Sequence, residues 1–337
     1  MPRYRYGGAR RSGFKPLAPI ADTNSVPLRP LIILALLFCA ALAPAARADV
    51  EVGIADQKTE MFGDPRFAAM GITNARVQVP WDVMTHPDQL AQLDEWMAAA
   101  QRSGVHPLVS FGHSRTERRV LPSPSRYKYE FRRFRARYPW VDTFAAWNEA
   151  NHCGEPTCHR PKLVGAYWKS LTRECPTCTI LAAELLDMPN MVSWVREFRR
   201  YVGHEPAIWG LHNYVDANRF RTSGTTRLLR AVKGDVWLTE VGGLVYRRNK
   251  PATGKNQVRL RESPAHAAKA TEWLLDELLP ISPRLKRVYI YAWNASTLRD
   301  TWDSALITPG GRGRPALKIL QDLVKDGRID VPVRRRT

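Results

Sequence analysis

From Asp49 onward the chain alternates short apolar runs with longer amphipathic segments, and it does so eight times. The runs have the length of buried strands; the segments between them have helical spacing and are opened by proline or an acid and closed by glycine or a basic turn. The pattern predicts strands at 50–55, 75–80, 107–112, 143–147, 179–184, 207–212, 236–239 and 287–293. Helices are expected at 62–70, 88–102, 125–138, 162–173, 191–202, 225–232, 264–279 and 314–325. Strands joined by helices through short connections pair in parallel, because a right-handed crossover is the least costly route between them. Eight such units in about 290 residues imply an α/β fold closed into a single (β/α)8 barrel. An open doubly wound sheet would be favoured by Gly-x-Gly-x-x-Gly after the first strand, and Gly53-Ile54-Ala55-Asp56 offers none.

Residues 1–48 stand apart from this pattern. Arg3, Arg5, Arg10, Arg11, Lys15 and Arg29 lead into an apolar run from Leu31 to Leu42, followed by Pro44 and Ala46-Arg47-Ala48. A basic lead, a twelve-residue apolar core and a small-x-small site read as an export signal cleaved after Ala48, since the core is too short to span a bilayer. Residues 49–337 then form one domain of a secreted, extracellular protein that is not inserted in a membrane and is expected to act as a monomer. An uncleaved anchor is the competing reading. Residues 1–48 hold seven of the 51 basic and one of the 32 acidic residues, so without them the formal charge falls from +19 to +13. That sign suits association with anionic wall polysaccharide, or simply a basic surface. Nucleic acid is disfavoured, because export removes the opportunity and the basic residues are scattered except at Arg334-Arg335-Arg336.

Cys153, Cys158, Cys175 and Cys178 could in principle form a zinc site. The expected helix between the pairs would hold them roughly 15 to 18 Å apart at ~1.5 Å per residue, which favours two local disulfides and an oxidising compartment. No metal or organic cofactor is expected.

In a barrel the carboxyl ends of the strands converge on one mouth. Two apolar runs there each deliver a glutamate to a turn: Ala146-Trp147-Asn148-Glu149 after the fourth strand and Leu238-Thr239-Glu240-Val241-Gly242 at the seventh. The other strand ends supply Asp56 and Gln57, Arg76 and Trp81, His113, Glu184, His212 and Tyr214, and Trp293 and Asn294. Two carboxyls facing one space suggest acid/base chemistry.

The Trp147-Asn148-Glu149 motif, Thr239-Glu240, His212-Asn213-Tyr214, Arg76 and Trp293 together resemble the retaining glycoside hydrolases of clan A, nearest to the family 39 and family 5 types. The likeness runs from about Val50 to Leu323 and includes Trp302-Asp303-Ser304-Ala305-Leu306 and Gly313-Arg314-Pro315-Ala316. It implies a carbohydrate substrate, with Glu149 as general acid/base and Glu240 as nucleophile, and carboxyls ~5 to 5.5 Å apart rather than the roughly 6.5 to 9.5 Å of inverting enzymes. Arg76 and Tyr214 would stabilise the Glu240 carboxylate, and an apolar wall at Trp147 would keep Glu149 protonated. Asn148 would bond the sugar 2-hydroxyl. Trp293 and Trp81 would offer faces on which a pyranose can lie, and His212 would bond a substrate hydroxyl or fix the nucleophile's surroundings. The basic segment from Tyr246 to Ser263, with Arg247, Arg248, Lys250, Lys255, Arg259 and Arg261, is either a wall selecting acidic sugars or a surface loop. A carbohydrate-binding barrel without activity and a transglycosylase are the competing functions. A metal-dependent hydrolase built on His113 and His212 lacks a His-x-His on the first strand.

Overall fold

The computed structural model describes residues 50–248, 260–297 and 301–329. The expected export segment, Lys250, Lys255, Arg259 and the arginine tail lie outside these residues. Nine strands form one parallel sheet: β1 Glu51–Ala55, β2 Asn74–Pro80, β3 His106–Gly112, β4 Thr143–Ala145, β5 Thr179–Leu181, β6 Glu184–Leu186, β7 Ile208–His212, β8 Asp235–Val241 and, after a short hairpin strand β9 at Tyr246–Arg247, β10 Leu285–Tyr291. The order is β5-β4-β3-β2-β1-β10-β8-β7-β6.

Strands β5 and β6 are one barrel position broken at Ala182-Ala183. β5 pairs with β4 and β6 with β7, and across the break Ala182 N donates to Ile208 O (2.9 Å) while Glu184 N donates to Trp147 O (3.0 Å). The two ends of the sheet therefore meet, and the fold is a (β/α)8 barrel. The helices lie where the spacing places them, among them Pro87–Arg102, Pro124–Arg137, Pro161–Glu174, Met191–Val202 and Pro315–Lys325. Each of these except Met191–Val202 opens with a proline, whose fixed φ suits a first helical turn and whose missing N–H costs nothing there. The expected helix 264–279 is interrupted: α-helix over Pro264–Trp273 passes into a π-turn over Leu274–Leu278. The short helix Tyr214–Arg219 is not among the expected elements; Asn213 caps it by accepting from Asp216 N.

Alternation divides the core in two. Val52, Ile54, Val77, Val79, Trp209, Leu211, Val288 and Ile290 point outward into the layer shared with the helices, while Ala55, Leu108, Ala145, Leu181, Trp237 and Tyr289 form a separate cluster inside the barrel. Gly53 makes room for this filling, since a Cβ there would stand 2.7 Å from the Tyr289 ring and 2.9 Å from Asn74 O. Polar residues replace apolar ones in the inward rows of β2, β3, β6 and β7, where Arg76, Ser110, Glu184 and His212 have no exposed surface. Disulfides join Cys153 to Cys158 and Cys175 to Cys178, the two local pairs expected in preference to a zinc site. Among the described residues no helix is long and apolar enough to cross a membrane.

Candidate active site

Glu149 stands where β4 gives way to its loop, and its backbone has φ 42°, a left-handed conformation that costs a non-glycine residue on the order of 1 kcal/mol or more. Bonds on either side hold it there. Asn148 N donates to Phe111 O (2.7 Å) and Ala150 N to Glu184 O (2.9 Å), so the residue is pinned between the neighbouring strands. Beyond it the loop is closed by the Cys153–Cys158 bridge and by Glu155, which accepts from Trp147 Nε1 (3.1 Å) and meets His113 Nδ1 (2.8 Å).

Glu240 reaches the mouth by a different device. Trp237 is inward on β8, and strict alternation would bring Thr239 rather than Glu240 inward next. The register slips: Gly210 pairs with Trp237 but His212 with Glu240, and a matching shift occurs against β10. This bulge turns Glu240 toward the mouth, a use common at the rims of barrels. Tyr214 at the start of its short helix donates its hydroxyl to Glu240 Oε1 (2.9 Å), and Arg76 Nη1 donates to Oε2 (2.9 Å).

One imidazole joins the two acids. His212 Nδ1 is 3.2 Å from Glu149 Oε1 and 3.8 Å from Glu240 Oε2. These legs cap the separation of the two oxygens at about 7 Å, which admits the retaining spacing. On its other side His212 Nε2 is 3.6 Å from Glu184 Oε2 and 3.3 Å from Arg76 Nη2. Glu184 grips Arg76 through two parallel bonds, Nε to Oε1 at 2.7 Å and Nη2 to Oε2 at 2.6 Å, and also accepts from Ser110 Oγ. Arg76 Nη2 donates as well to Asn148 Oδ1 at 2.7 Å, so the bond to arginine uses the amide oxygen and not the amide N–H groups of Asn148.

The charges are mutually arranged. Burial alone would raise the Glu149 carboxyl, but hydrogen bonds and charge from His152 and His212 outweigh it and hold Glu149 below the usual carboxylate range. Burial likewise opposes a charge on His212, yet the Glu240 charge and the bonds to Glu149 and Glu184 push the imidazole up to about 9. Glu184, although fully buried, is held low by Arg76. The expected apolar wall is therefore absent from Glu149. Trp147 lies in the core, stacked on Tyr167 with Nε1 on Glu155, and imidazoles meet the carboxylate instead. His152 is one of them, with Nδ1 3.4 Å from Glu149 Oε2.

A cavity of about 470 Å³ opens over these groups, lined by Glu149, His152, His212, Tyr214 and Glu240, with Tyr291 and Trp302 as further aromatic surface. Neither tryptophan expected as a sugar platform lies there. Trp293 has no exposed surface: β10 ends at Tyr291, so the ring turns back into the core, edge-on to Phe67, with Nε1 on Asp64 (3.1 Å). Trp81 packs into the core below the rim and is 8% exposed. Asp56 is also structural, accepting from Trp293 N (2.9 Å), Asn294 N (3.0 Å) and Lys58 N (2.9 Å). Trp302 owes its place to the pairing of β9 with β11, Trp302–Asp303, anchored by the Arg314 guanidinium on both Asp303 oxygens at 2.6 Å. Arg247 of the basic segment lies over the Trp302 ring, 5.5 Å from its centroid, and also lines the cavity.

Neither a protein-family model nor a curated protein matches this sequence. Solved structures do. The chain is similar to native xylanase 10B from Thermotoga maritima, at 10% identity and TM-score 0.57, over 83% of this chain and 96% of that one. It is similar to a glucosidase from Croceicoccus marinus, at 11% identity and TM-score 0.61, over 85% and 69%. A monomeric beta-xylosidase from Caulobacter crescentus CB15 matches at 13% identity and TM-score 0.55, over 83% and 69%. At such identities the likeness establishes the shared barrel.

Proposed function

We propose that this chain is a secreted retaining glycoside hydrolase of the clan A type, cleaving β-linked polysaccharide or oligosaccharide with Glu240 as nucleophile and Glu149 as acid/base. The observation that carries the reading is the meeting of Glu149 and Glu240 at one imidazole nitrogen, beneath a cavity of sugar dimensions. The barrel shared with xylanases and a xylosidase supports it, as do the two disulfides, which suit an exported protein.

A glycosidic oxygen leaves poorly unless it gains a proton as its bond breaks, while the attacking carboxylate must be ionised. Glu240 receives Arg76 and the Tyr214 hydroxyl, both donors to its charged form. The acid side works differently. Glu149 and His212 hold one proton between Oε1 and Nδ1, and that proton passes through Glu149 to the leaving oxygen as Glu240 forms its bond to the anomeric carbon. The step removes one positive charge, the proton, and one negative charge, the carboxylate that becomes an ester. The net charge of the site is conserved, so the buried Arg76–Glu184 pair need not reorganise. Neutral His212 and ionised Glu149 then stand ready to take a proton from water, which releases the sugar and restores Glu240. Asn148 presents its amide to the 2-hydroxyl. Tyr291 and Trp302, rather than Trp293 or Trp81, supply the apolar surface against the ring. Arg247 beside Trp302 favours glycans that carry carboxylates, in keeping with a basic chain that associates with acidic wall polymers.

A 2-deoxy-2-fluoro glycosyl fluoride series tests the reading directly. Mass spectrometry of the digested protein is expected to find the label on Glu240; label on another residue, or hydrolysis with inverted anomeric configuration, refutes it. No turnover of any aryl glycoside or polymer would favour a binding barrel, and disaccharide products in excess of hydrolysis would favour transglycosylation.

A further inference from the structure

Two arginines stand beside the cavity, one on each flank, and each leads by direct contacts to one of the two carboxyls. Arg247 lies over the Trp302 ring, that ring meets Tyr214 edge-on at 4.8 Å, and Tyr214 donates to Glu240. Arg118, exposed on the loop after β3, donates from Nη2 to Gly154 O at 3.3 Å. Gly154 lies against the His152 imidazole, so close that a Cβ there would stand 2.7 Å from Cε1, and His152 Nδ1 meets Glu149. The bond to Glu149 raises the His152 imidazole and the charge of Arg118 opposes that rise, as befits a guanidinium beside the acid's loop.

Most cations of this region are already engaged. Residues 113–137 carry nine basic and two acidic side chains, but on the helix Pro124–Arg137 the arginines have partners. Arg126 and Arg133 share Glu130, Arg132 grips Glu174, and Arg137 grips Asp94. Among the described residues Arg118 makes no ion pair, and its bond to a backbone carbonyl leaves its charge uncompensated. A guanidinium with one N–H on a carbonyl keeps the rest of its fork for a planar anion, and carboxylate matches that geometry. Arg119 beside it offsets the charge of Glu117, the acid of the same loop.

In a double displacement the anomeric carbon lies at the nucleophile and the leaving oxygen at the acid. With Glu240 and Glu149 in those roles, the ring that stays attached lies toward Arg247 and the ring that departs lies toward Arg118. We propose that Arg118 is a specificity residue for the leaving-group side, binding the carboxylate of an acidic sugar there, so that the preferred substrate is a β-linked glycan with carboxylates on both sides of the cleaved bond. The inference rests on the glycosidase reading for its direction along the glycan; the binding itself needs no catalysis. It requires a sugar beyond the leaving oxygen, and hence cleavage between two acidic rings rather than release of a simple aglycone.

The test uses the full chain carrying Glu240→Ala, which removes turnover, and a matched pair of probes: β-1,4-glucan oligosaccharides oxidised at C6 to the carboxylate, and the same oligosaccharides as methyl esters. Titration calorimetry at low salt is expected to show the free acid bound about tenfold more tightly than the ester, with the preference shrinking as salt is raised. Arg118→Gln should cut that preference roughly five- to tenfold, and Arg118→Lys by less, since a point charge keeps the attraction but loses the two-bond fit. An unchanged preference in Arg118→Gln overturns the proposal. Equal weakening of acid and ester also overturns it, being the mark of an arginine that only braces the Gly154 loop. Single-stranded DNA bound more tightly than the oxidised glycan, through the same arginine, would assign the surface to nucleic acid and overturn it as well. In the active chain, the loss of kcat/KM in Arg118→Gln should be larger when the carboxylate is on the departing ring than when it is on the retained ring; the reverse order refutes the assignment to the leaving-group side. If no fluorosugar labels Glu240, the hydrolase reading fails alone, since the binding comparison needs no turnover.

Discussion

The two flanks of the cavity hold their glutamates in opposite ways. Glu240 sits on a bulged strand, and its partners are a guanidinium and a phenol, neither of which changes charge near neutrality. Glu149 sits on a loop with a left-handed backbone, and its partners are His152 and His212, imidazoles whose charge depends on pH. One flank surrounds its carboxylate with donors of constant charge, the other with donors that titrate. Burial does not distinguish them. The surrounding donors do, so any difference in role between the two glutamates would follow from their partners rather than from the residues themselves.

The sharpest way to break this contrast is Glu240→Ala, expected to lower kcat on the order of 10⁴-fold or more, because no other group replaces a nucleophile. Glu149→Gln should cost roughly 10²- to 10⁴-fold on a substrate with a poor leaving group and far less with a dinitrophenyl glycoside, whose departure needs no proton. Equal losses on both substrates would mean that Glu149 is not the acid. Tyr214→Phe removes one bond to a charged acceptor, worth about 1.5 to 3 kcal/mol, and should reduce kcat/KM roughly ten- to a hundredfold without moving its pH limbs.

Stability against pH sharpens the contrast further. The folded value of His212, about 9, lies above its ordinary 6.5, so its contribution is complete below about 6.5 and is lost as pH rises toward 9. Glu149 and Glu184 are depressed, so their contributions are present above the normal carboxylate range and are lost as pH falls through their lowered values. Urea midpoints measured from pH 3 to 10 should decline at both ends, and His212→Asn should flatten the alkaline decline and, because His212 helps to hold Glu149 and Glu184 low, soften the acid decline as well. The smallest effect concerns the loop beyond Glu149. Cys153→Ser with Cys158→Ser opens a link of sequence separation five and should cost about 2 kcal/mol, read as a lowered melting temperature, with kcat little changed.

Much of the barrel was legible because apolar runs at strand spacing leave few alternatives. The predicted strands 107–112 and 207–212 differ from the observed His106–Gly112 and Ile208–His212 by one residue at the start. What failed were features set by contacts between distant segments. The eighth strand ends two residues earlier than its apolar run, at Tyr291, and that displacement sends Trp293 into the core and brings Tyr291 to the cavity. The bulge before Glu240 depends on pairing with β7 and β10, which no local pattern records. Glu184 could be seen at a strand end, but its meaning required Arg76. His152 and Trp302 became neighbours of the site only through a loop and a hairpin whose course the composition does not dictate. The basic segment lies mostly outside the described residues; of it, Arg247 reaches the cavity.

The attachment of Ala150 N to Glu184 O, together with Asn148 N on Phe111 O, ties the backbone at Glu149 to the strands on either side. The loop beyond returns to that point through His152, Glu155 and Thr157, which meet Glu149, Trp147 and Ala150. Glu149 is therefore held from two sides, by strands that fix its backbone and by a loop whose His152 bears on its charge, so exchange of that loop should alter the titration of the carboxyl before its position.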